Sequence, residues 1–221
     1  MEKTLCLIPA KGKSTRLPRK NIMELGGKTL IQWAVDAMVA SEIPCDLAVS
    51  TEDSAIAQHA RDLDVDVVLR PDTLAIDPAG VEQVSLHALA QRPGYQTLII
   101  LLPTSPLRNS DDIKQAWLAF HKWQAKRLMT VCEYDHSPYS AWQEQGECIQ
   151  PLHPDFARLK SQQLPKAFRI NGAVTILDVA TFEETGSYTL EPLHRVIMPR
   201  QRSVDIDTFD DWSYAQWLIQ R

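Results

Sequence analysis

Apolar runs alternate with segments of helical periodicity from Leu5 to Glu133, and that alternation leaves few folds open to the chain. Leu5–Pro9 reads as a strand. Thr29–Ala40 reads as a helix with Leu30, Trp33, Ala34, Ala37 and Met38 on one face. A second strand over Leu47–Ser50 precedes a helix over Ser54–Arg61, and a third strand over Val65–Leu69 precedes a helix around Val81–Ala90. Thr97–Leu102 and Leu128–Glu133 are the fourth and fifth strands. Between them, Asn109-Ser110-Asp111-Asp112 reads as a helix start, with Ser110 as the N-cap and two acids at the positive helix end. A strand that crosses over through a helix returns parallel to itself. The sequence therefore predicts an α/β fold on a parallel, doubly wound sheet.

The pattern breaks between Tyr134 and Lys166, a stretch rich in Pro, His, Gln and Trp with weak periodicity. It reads as an inserted excursion of loops or short strands and as a candidate oligomer contact. The sheet resumes at Phe168–Leu177 and again at Arg195–Met198. Thr208 opens a final helix containing Phe209, Trp212, Ala215 and Trp217, and Asp211 stands where a capping box needs an acid. Both tryptophans are expected in the core rather than stacked on a ligand.

Directly after the first apolar run, Lys11 to Lys20 (KGKSTRLPRK) holds five basic residues and no acidic one, in a chain of formal net charge -5. A short Gly/Ser/Lys/Arg loop at the carboxyl end of a buried strand is how α/β proteins hold polyphosphate. The local reversal of sign reads as a site for a small anion rather than a nucleic-acid surface. GxxxxGK[ST] and GxGxxG are both absent, so the loop is neither a Walker A loop nor a dinucleotide fingerprint. The competing reading is a solvated basic turn.

Two further elements carry chemistry. In Ser203-Val204-Asp205-Ile206-Asp207 an extended backbone points Asp205 and Asp207 the same way. Two such carboxylates repel unless a cation lies between them, and Mg²⁺ bound by carboxylates plus substrate phosphates is the common solution. The alternative is a solvated acidic pair at the mouth of a helix. Pro103-Thr104-Ser105-Pro106-Leu107-Arg108 makes a rigid turn after the fourth strand, where an open sheet puts its ligands, with two hydroxyls for a polar substrate. The alternative there is a stiff connecting loop. The six histidines show no ligand spacing. The four cysteines, Cys6, Cys45, Cys132 and Cys148, are scattered, which points to reduced thiols in the cytoplasm rather than to zinc or disulfides. No signal peptide or membrane span is expected.

Several motifs together resemble one family, the N-acylneuraminate (nonulosonic acid) cytidylyltransferases, or CMP-sialic acid synthetases. They are IPAKGKSTRLPRKN (8–21), VSTED (49–53), VVLRP (67–71), LLPTSPLR (101–108), QQLPKAFRINGA (162–173) and SVDIDT (203–208), in the family's order. The resemblance implies a Rossmann-like, mostly parallel nucleotidyltransferase domain over residues 1–221. It also implies a small dimerisation insert over 134–166 that helps close the partner subunit's sugar site. It implies a homodimer that transfers CMP from CTP to the anomeric hydroxyl of a 2-keto-3-deoxy sugar acid, with Mg²⁺ or Mn²⁺. It places Pro9, Ala10, Lys11, Gly12, Ser14, Lys20, Asn21 and Arg70 at the CTP, and Thr104, Ser105, Arg169 and Asn171 on the sugar side. Asp205 and Asp207 become the metal pair, and Lys11, Arg16, Lys20 and Asp207 the catalytic set. No side chain stands out as a general base, which leaves a metal-bound hydroxyl or the sugar's own carboxylate for that role.

Leu102 stands where sialic-acid enzymes usually carry Gln. Ile170 and Thr175 replace a Pro and a Tyr of the family's FRPNGAIYI, and Ser161 stands at a position that is commonly basic. The STRLP of the loop resembles the version in 3-deoxy-manno-octulosonate (KDO) cytidylyltransferases, which makes a KDO enzyme the alternative substrate reading. A non-catalytic nucleotide-binding module of the same fold is the alternative of a different class.

Overall fold

The computed structural model describes residues 2–14 and 16–220; Thr15, inside the basic loop, lies outside the described residues. A central sheet contains β1 (Thr4–Pro9), β2 (Asp46–Thr51), β3 (Asp66–Leu69), β4 (Thr97–Ile100), β5 (Arg127–Glu133), β6 (Phe168–Asp178) and β7 (His194–Ile197). Their order across the sheet is β7-β5-β6-β4-β1-β2-β3. The helices are α1 (Leu30–Val39), α2 (Ser54–Asp62), α3 (Val81–Gln91), α4 (Ser110–Lys122), α5 (Val179–Thr185) and α6 (Phe209–Ile219).

Alternation along β1 sets the two faces. Cys6 and Ile8 join α1, α2 and α4 in one core through Ile31, Ala34, Ile56, Ala60, Ile113 and Phe120. Leu5 and Leu7 join α3 and α5 on the other face through Ala88, Leu89 and Phe182. A strand buried on both faces belongs to a parallel sheet with helices on each side, and each fully buried aliphatic side chain contributes roughly 2 kcal/mol.

The parallel sheet has one exception. β6 runs antiparallel to both β4 and β5. No crossover helix separates β5 from β6. Phe168 pairs with Glu133, so the chain leaves the sheet after β5 and re-enters beside it running backwards. The intervening residues add no strand to the main sheet. Trp142–Gln145 and Cys148–Pro151 form their own two-stranded hairpin, exposed to solvent along most of its length.

Two local expectations change. Asn109, not Ser110, caps α4: its Oδ1 accepts the Asp112 N–H at 3.0 Å while Asp112 Oδ2 accepts the Asn109 N–H at 3.1 Å. A cap at Ser110 would move Asp112 out of the third helical position, where its carboxylate closes that box and also receives Arg202. Trp212 is buried, but Trp217 is 46% exposed, because the inward face of α6 is taken by Trp212 and Ala215. The Thr208–Asp211 capping box forms as expected. No helix among the described residues is long and apolar enough to cross a membrane.

Candidate active site

The basic loop leaves the end of β1 under tight constraint. The Ala10 N–H donates to the Ser50 carbonyl at 2.9 Å, so the chain starts flush with β2. The Gly12 N–H then donates to Glu52 Oε1 at 2.7 Å. A Cβ on Gly12 would lie 2.6 Å from Asp53 Cβ and would also collide with Asp53 Oδ2, so only glycine fits this crossing. Asp53 itself caps α2, with Oδ1 accepting the N–H groups of Ala55 and Ile56. The Gly12 N–H and these two α2 N–H groups are therefore already engaged by carboxylates. Positive charge for an anion comes instead from side chains of the loop.

The rest of the loop is pinned at three points. Asn21 Nδ2 donates to the Lys11 carbonyl at 2.8 Å. Leu17 is buried with Leu25, Leu30, Val204, Ile206, Trp212 and Ala215 in a small satellite core. Arg19 takes the left-handed conformation (φ 57°), which leaves its own side chain exposed and turns Lys20 inward. Lys20 Nζ donates to the Ile206 carbonyl at 2.9 Å and to Asp207 Oδ1 at 2.7 Å.

The same satellite core orients the acidic pair. Val204 and Ile206 are buried in it, so the period-two alternation sends Asp205 and Asp207 to the opposite side, and both line one cleft. The Ile206 N–H donates to the Thr104 carbonyl at 2.8 Å, fastening this segment to the turn after β4. Asp207 carries two ion pairs, to Lys20 and, at 2.7 Å, to Arg16 Nη2. Partial burial pushes the Asp207 carboxyl up, but Lys20 and then Arg16 outweigh it and hold the group below the usual carboxylate range. Asp205 behaves oppositely. It stays accessible from the cleft, yet crowding by the cleft walls raises its pKa; the Thr104 hydroxyl offsets part of this and the Asp207 charge adds to it.

The cleft has a volume of about 280 Å³ and lies at the carboxyl ends of β1, β3 and β4. Lys11, Lys20, Asn21 and Arg70, with Pro9 beside them, form its polar wall, together with Thr104, Asp205 and Asp207. Leu74, Ala75, Ala79, Val81 and Val84, which follow β3 and open α3, form an apolar wall with Leu102. Of the predicted residues, Pro9, Lys11, Lys20, Asn21, Arg70, Thr104, Asp205 and Asp207 line this cleft together. Ala10 is buried beside it, Gly12 spaces the loop, Arg16 reaches it through Asp207, and Ser14 is half-buried on the loop.

Three sugar-side candidates brace the cleft from behind. Asn171 is buried in a bulge of β6, where Oδ1 accepts from Thr130 Oγ1 at 2.7 Å and from the Ala173 N–H at 3.1 Å. Its Nδ2 donates to Ser203 Oγ at 2.9 Å and also meets Met198 Sδ. Ser105 is fully buried and donates to the Asn171 carbonyl at 3.1 Å. Arg169 Nη2 donates to the Ser203 carbonyl at 3.1 Å. Gly172, at the bulge (φ 67°), leaves room for Leu102: a Cβ there would approach Leu102 Cδ1 to 2.9 Å. Arg108, at the end of the turn, is buried and donates to the carbonyls of Leu102, Ser105 and Ala173. Burial pushes its guanidinium down to about 10, still cationic at neutral pH.

Sequence reasoning missed two parts of this site. Glu52 lay inside a recognised motif but had no role assigned; it accepts both from Gly12 and from Arg70. The apolar wall of residues 74–84 is the other: the sequence assigns only Val81 and Val84 in it, to a helix, and gives residues 74–80 no role. Its spacing of small and aliphatic residues carries no signal distinct from an ordinary helix start.

A cleft at the carboxyl ends of parallel strands, with a basic loop facing an acidic pair, agrees with comparison to known proteins. A family model described as "Cytidylyltransferase" matches residues 5–168. The chain belongs to the cytidylyltransferase family. It is thus a CTP-dependent nucleotidyltransferase. The enzyme is 30% identical to the pseudaminic acid cytidylyltransferase of Campylobacter jejuni over 99% of this chain and 97% of the relative. It is 28% identical to the N-acylneuraminate cytidylyltransferase of Streptococcus agalactiae over 96% of this chain, spanning 52% of that longer protein. In fold it is similar to a solved structure of CMP:2-keto-3-deoxy-manno-octonic acid synthetase complexed with CTP, with a TM-score of 0.74, 13% identity and 99% coverage of both chains.

Proposed function

We propose that the enzyme transfers CMP from CTP to the anomeric hydroxyl of a nonulosonic, sialic-acid-like sugar acid and releases pyrophosphate. One observation carries this reading: Lys11, Lys20 and Arg70 share a single cleft with Asp205 and Asp207, which lie far from them in sequence. The names of the pseudaminic and N-acylneuraminate relatives support a nine-carbon acid as the acceptor. The likeness to the KDO enzyme is one of fold, at 13% identity, so an eight-carbon acceptor is the second reading.

In the reaction, the acceptor hydroxyl attacks the α-phosphorus as the bond to the bridging oxygen of the pyrophosphate breaks, and the hydroxyl proton passes to the acceptor's own carboxylate. Such a displacement needs alignment and charge neutralisation more than covalent help. Lys11, Arg16 and Lys20 hold the triphosphate and stabilise charge on the leaving pyrophosphate. Pro9, Asn21 and Arg70 shape the nucleotide side, and the apolar wall of residues 74–84 takes the flat base. Thr104 presents its hydroxyl at the acceptor side. Ser105, Arg169 and Asn171 act by holding the 203–207 segment and the turn after β4 in register.

Asp205 and Asp207 fit a magnesium or manganese ion. They are hard oxygen donors on one wall of the cleft, and crowding plus mutual repulsion makes Asp205 costly to ionise without a cation. Asp205 and Asp207 would hold such an ion, which would supply charge neutralisation for the triphosphate. The pairing of Asp207 with Lys20 and Arg16 gives those cations a second partner to exchange for phosphate when CTP arrives.

We further infer a cytoplasmic homodimer. The hairpin insert exposes Trp142, Ile149, Leu152 and Leu159, apolar surface of the kind a subunit contact covers. A pyrophosphate-release assay with CTP, Mg²⁺ and a panel of sugar acids tests the function. Release with a nine-carbon acid supports it, and release with KDO alone moves it to the second reading. CTP binding without release from any acid refutes catalysis and leaves a nucleotide-binding module.

A further inference from the structure

Glu52 is a buried carboxylate beside the cleft, and no step of the proposed transfer uses it. Its side chain is 6% exposed and that of its partner Arg70 is 3% exposed. Both carboxylate oxygens are engaged. Oε1 accepts the Gly12 N–H at 2.7 Å, while Oε2 accepts Arg70 Nε at 3.0 Å and Nη2 at 2.8 Å. The Arg70 backbone is fixed as well, with its N–H donating to the Thr51 carbonyl at 3.0 Å.

Glu52 therefore uses up one edge of the guanidinium and leaves the other. Arg70 Nη1 has no hydrogen bond among the described residues, and Arg70 lines the cleft. A guanidinium is a planar, rigid fork, so fixing Nε and Nη2 also fixes the direction in which Nη1 presents its hydrogens. The same carboxylate holds the first turn of the basic loop through Gly12. One side chain thus joins the loop after β1 to the arginine after β3, beyond the backbone bonds that tie each of them to β2.

We propose that Glu52 is a positioning residue for the nucleotide: it aims the free edge of Arg70 into the cleft and locks the basic loop at a matching distance. The proposal rests on the reading of this cleft as the CTP site. The negative charge is tolerated next to a triphosphate site because Arg70 neutralises it, and because an uncompensated buried arginine would be the worse alternative. A glutamine in its place still accepts from Gly12. Its amide nitrogen, however, faces the N–H groups of Arg70 donor to donor, and the guanidinium swings away.

The test is steady-state kinetics and calorimetric CTP binding on Glu52→Gln, Arg70→Ala and the double variant. Glu52→Gln is expected to raise KM and Kd for CTP tenfold or more while KM for the sugar acid stays within twofold. The double variant is expected to be no worse for CTP than Arg70→Ala alone, because Glu52 acts through that arginine. Glu52→Asp, which keeps the charge but shortens the reach, is expected to fall between wild type and Glu52→Gln. It also carries the test if Glu52→Gln does not fold. Unchanged CTP affinity in a folded Glu52 variant, equal loss for CTP and sugar acid, or fully additive losses would overturn the proposal. Wild-type protein that binds no CTP would overturn the functional reading itself, and this proposal with it.

Discussion

Gly12→Ala tests the packing on which the cleft depends. The added Cβ would meet Asp53 at its Cβ (2.6 Å), a backbone-attached atom that no rotamer change can move aside. The loop and the start of α2 must separate until that distance reaches ordinary contact. Two interactions are then lost or weakened: the charge-assisted bond from the Gly12 N–H to Glu52, and the Asp53 cap on α2. A hydrogen bond to a charged group contributes about 1.5–3 kcal/mol and a helix cap about 1 kcal/mol. Alanine returns about 0.4–1 kcal/mol by restricting the unfolded chain. The net loss is about 1.5–3.6 kcal/mol, which for a chain of this size lowers Tm by about 3–14 °C. Differential scanning calorimetry with and without CTP reads both effects, since a displaced loop also loses the stabilisation that bound nucleotide supplies. A variant with wild-type Tm and a wild-type shift on adding CTP would refute the claim that only glycine fits this crossing.

Three other substitutions probe the acidic pair and its brace. Asp207→Asn should lower turnover on the order of a hundredfold at saturating Mg²⁺, the usual size of a lost charge-stabilising group; near-normal turnover counts against a metal-ligand role. The same variant should melt earlier than wild type at pH 7. The lowered Asp207 pKa makes its charged form stabilising above the ordinary carboxylate value, and that contribution disappears as pH falls through the lowered value. Asp205→Asn should do the reverse. Its pKa is raised in the folded protein, so the stability it lends is complete below the ordinary carboxylate value of about 4 and is lost as pH rises through the raised value. The asparagine variant should therefore melt later than wild type at pH 7 and no later at pH 3, and a lower Tm at pH 7 would contradict the assignment. Asn171→Ala leaves Ser203 Oγ and the Ala173 N–H short of partners in a buried bulge and should cost about 2–4 kcal/mol; a Tm within 2 °C of wild type (less than about 1 kcal/mol) would show that the brace is dispensable.

Much of this enzyme is legible in short-range pattern. Strand–helix alternation gave the doubly wound sheet, because burying both faces of a strand requires helices on each side. Five basic residues after β1 marked the anion loop, and the Val204/Ile206 alternation with Asp205/Asp207 put two carboxylates on one side. Each strand, helix or loop behind these signals is read from a dozen residues or so. Features that depend on residues distant in the chain emerge only on folding. β6 runs backwards because the excursion after β5 has no crossover helix to carry the chain to the other end of the sheet, a point that length and composition leave open. Gly12 is required by Asp53 rather than by its own backbone angle. Asn171 and Ser105 brace the acidic segment from behind the cleft. Lys20 meets Asp207 across 187 positions and Glu52 meets Gly12 across 40, and neither pairing leaves a periodic trace. Local periodicity reports which face of an element is buried; it does not report which buried or charged group waits on the other side, and in this enzyme that second question decides how the cleft is held.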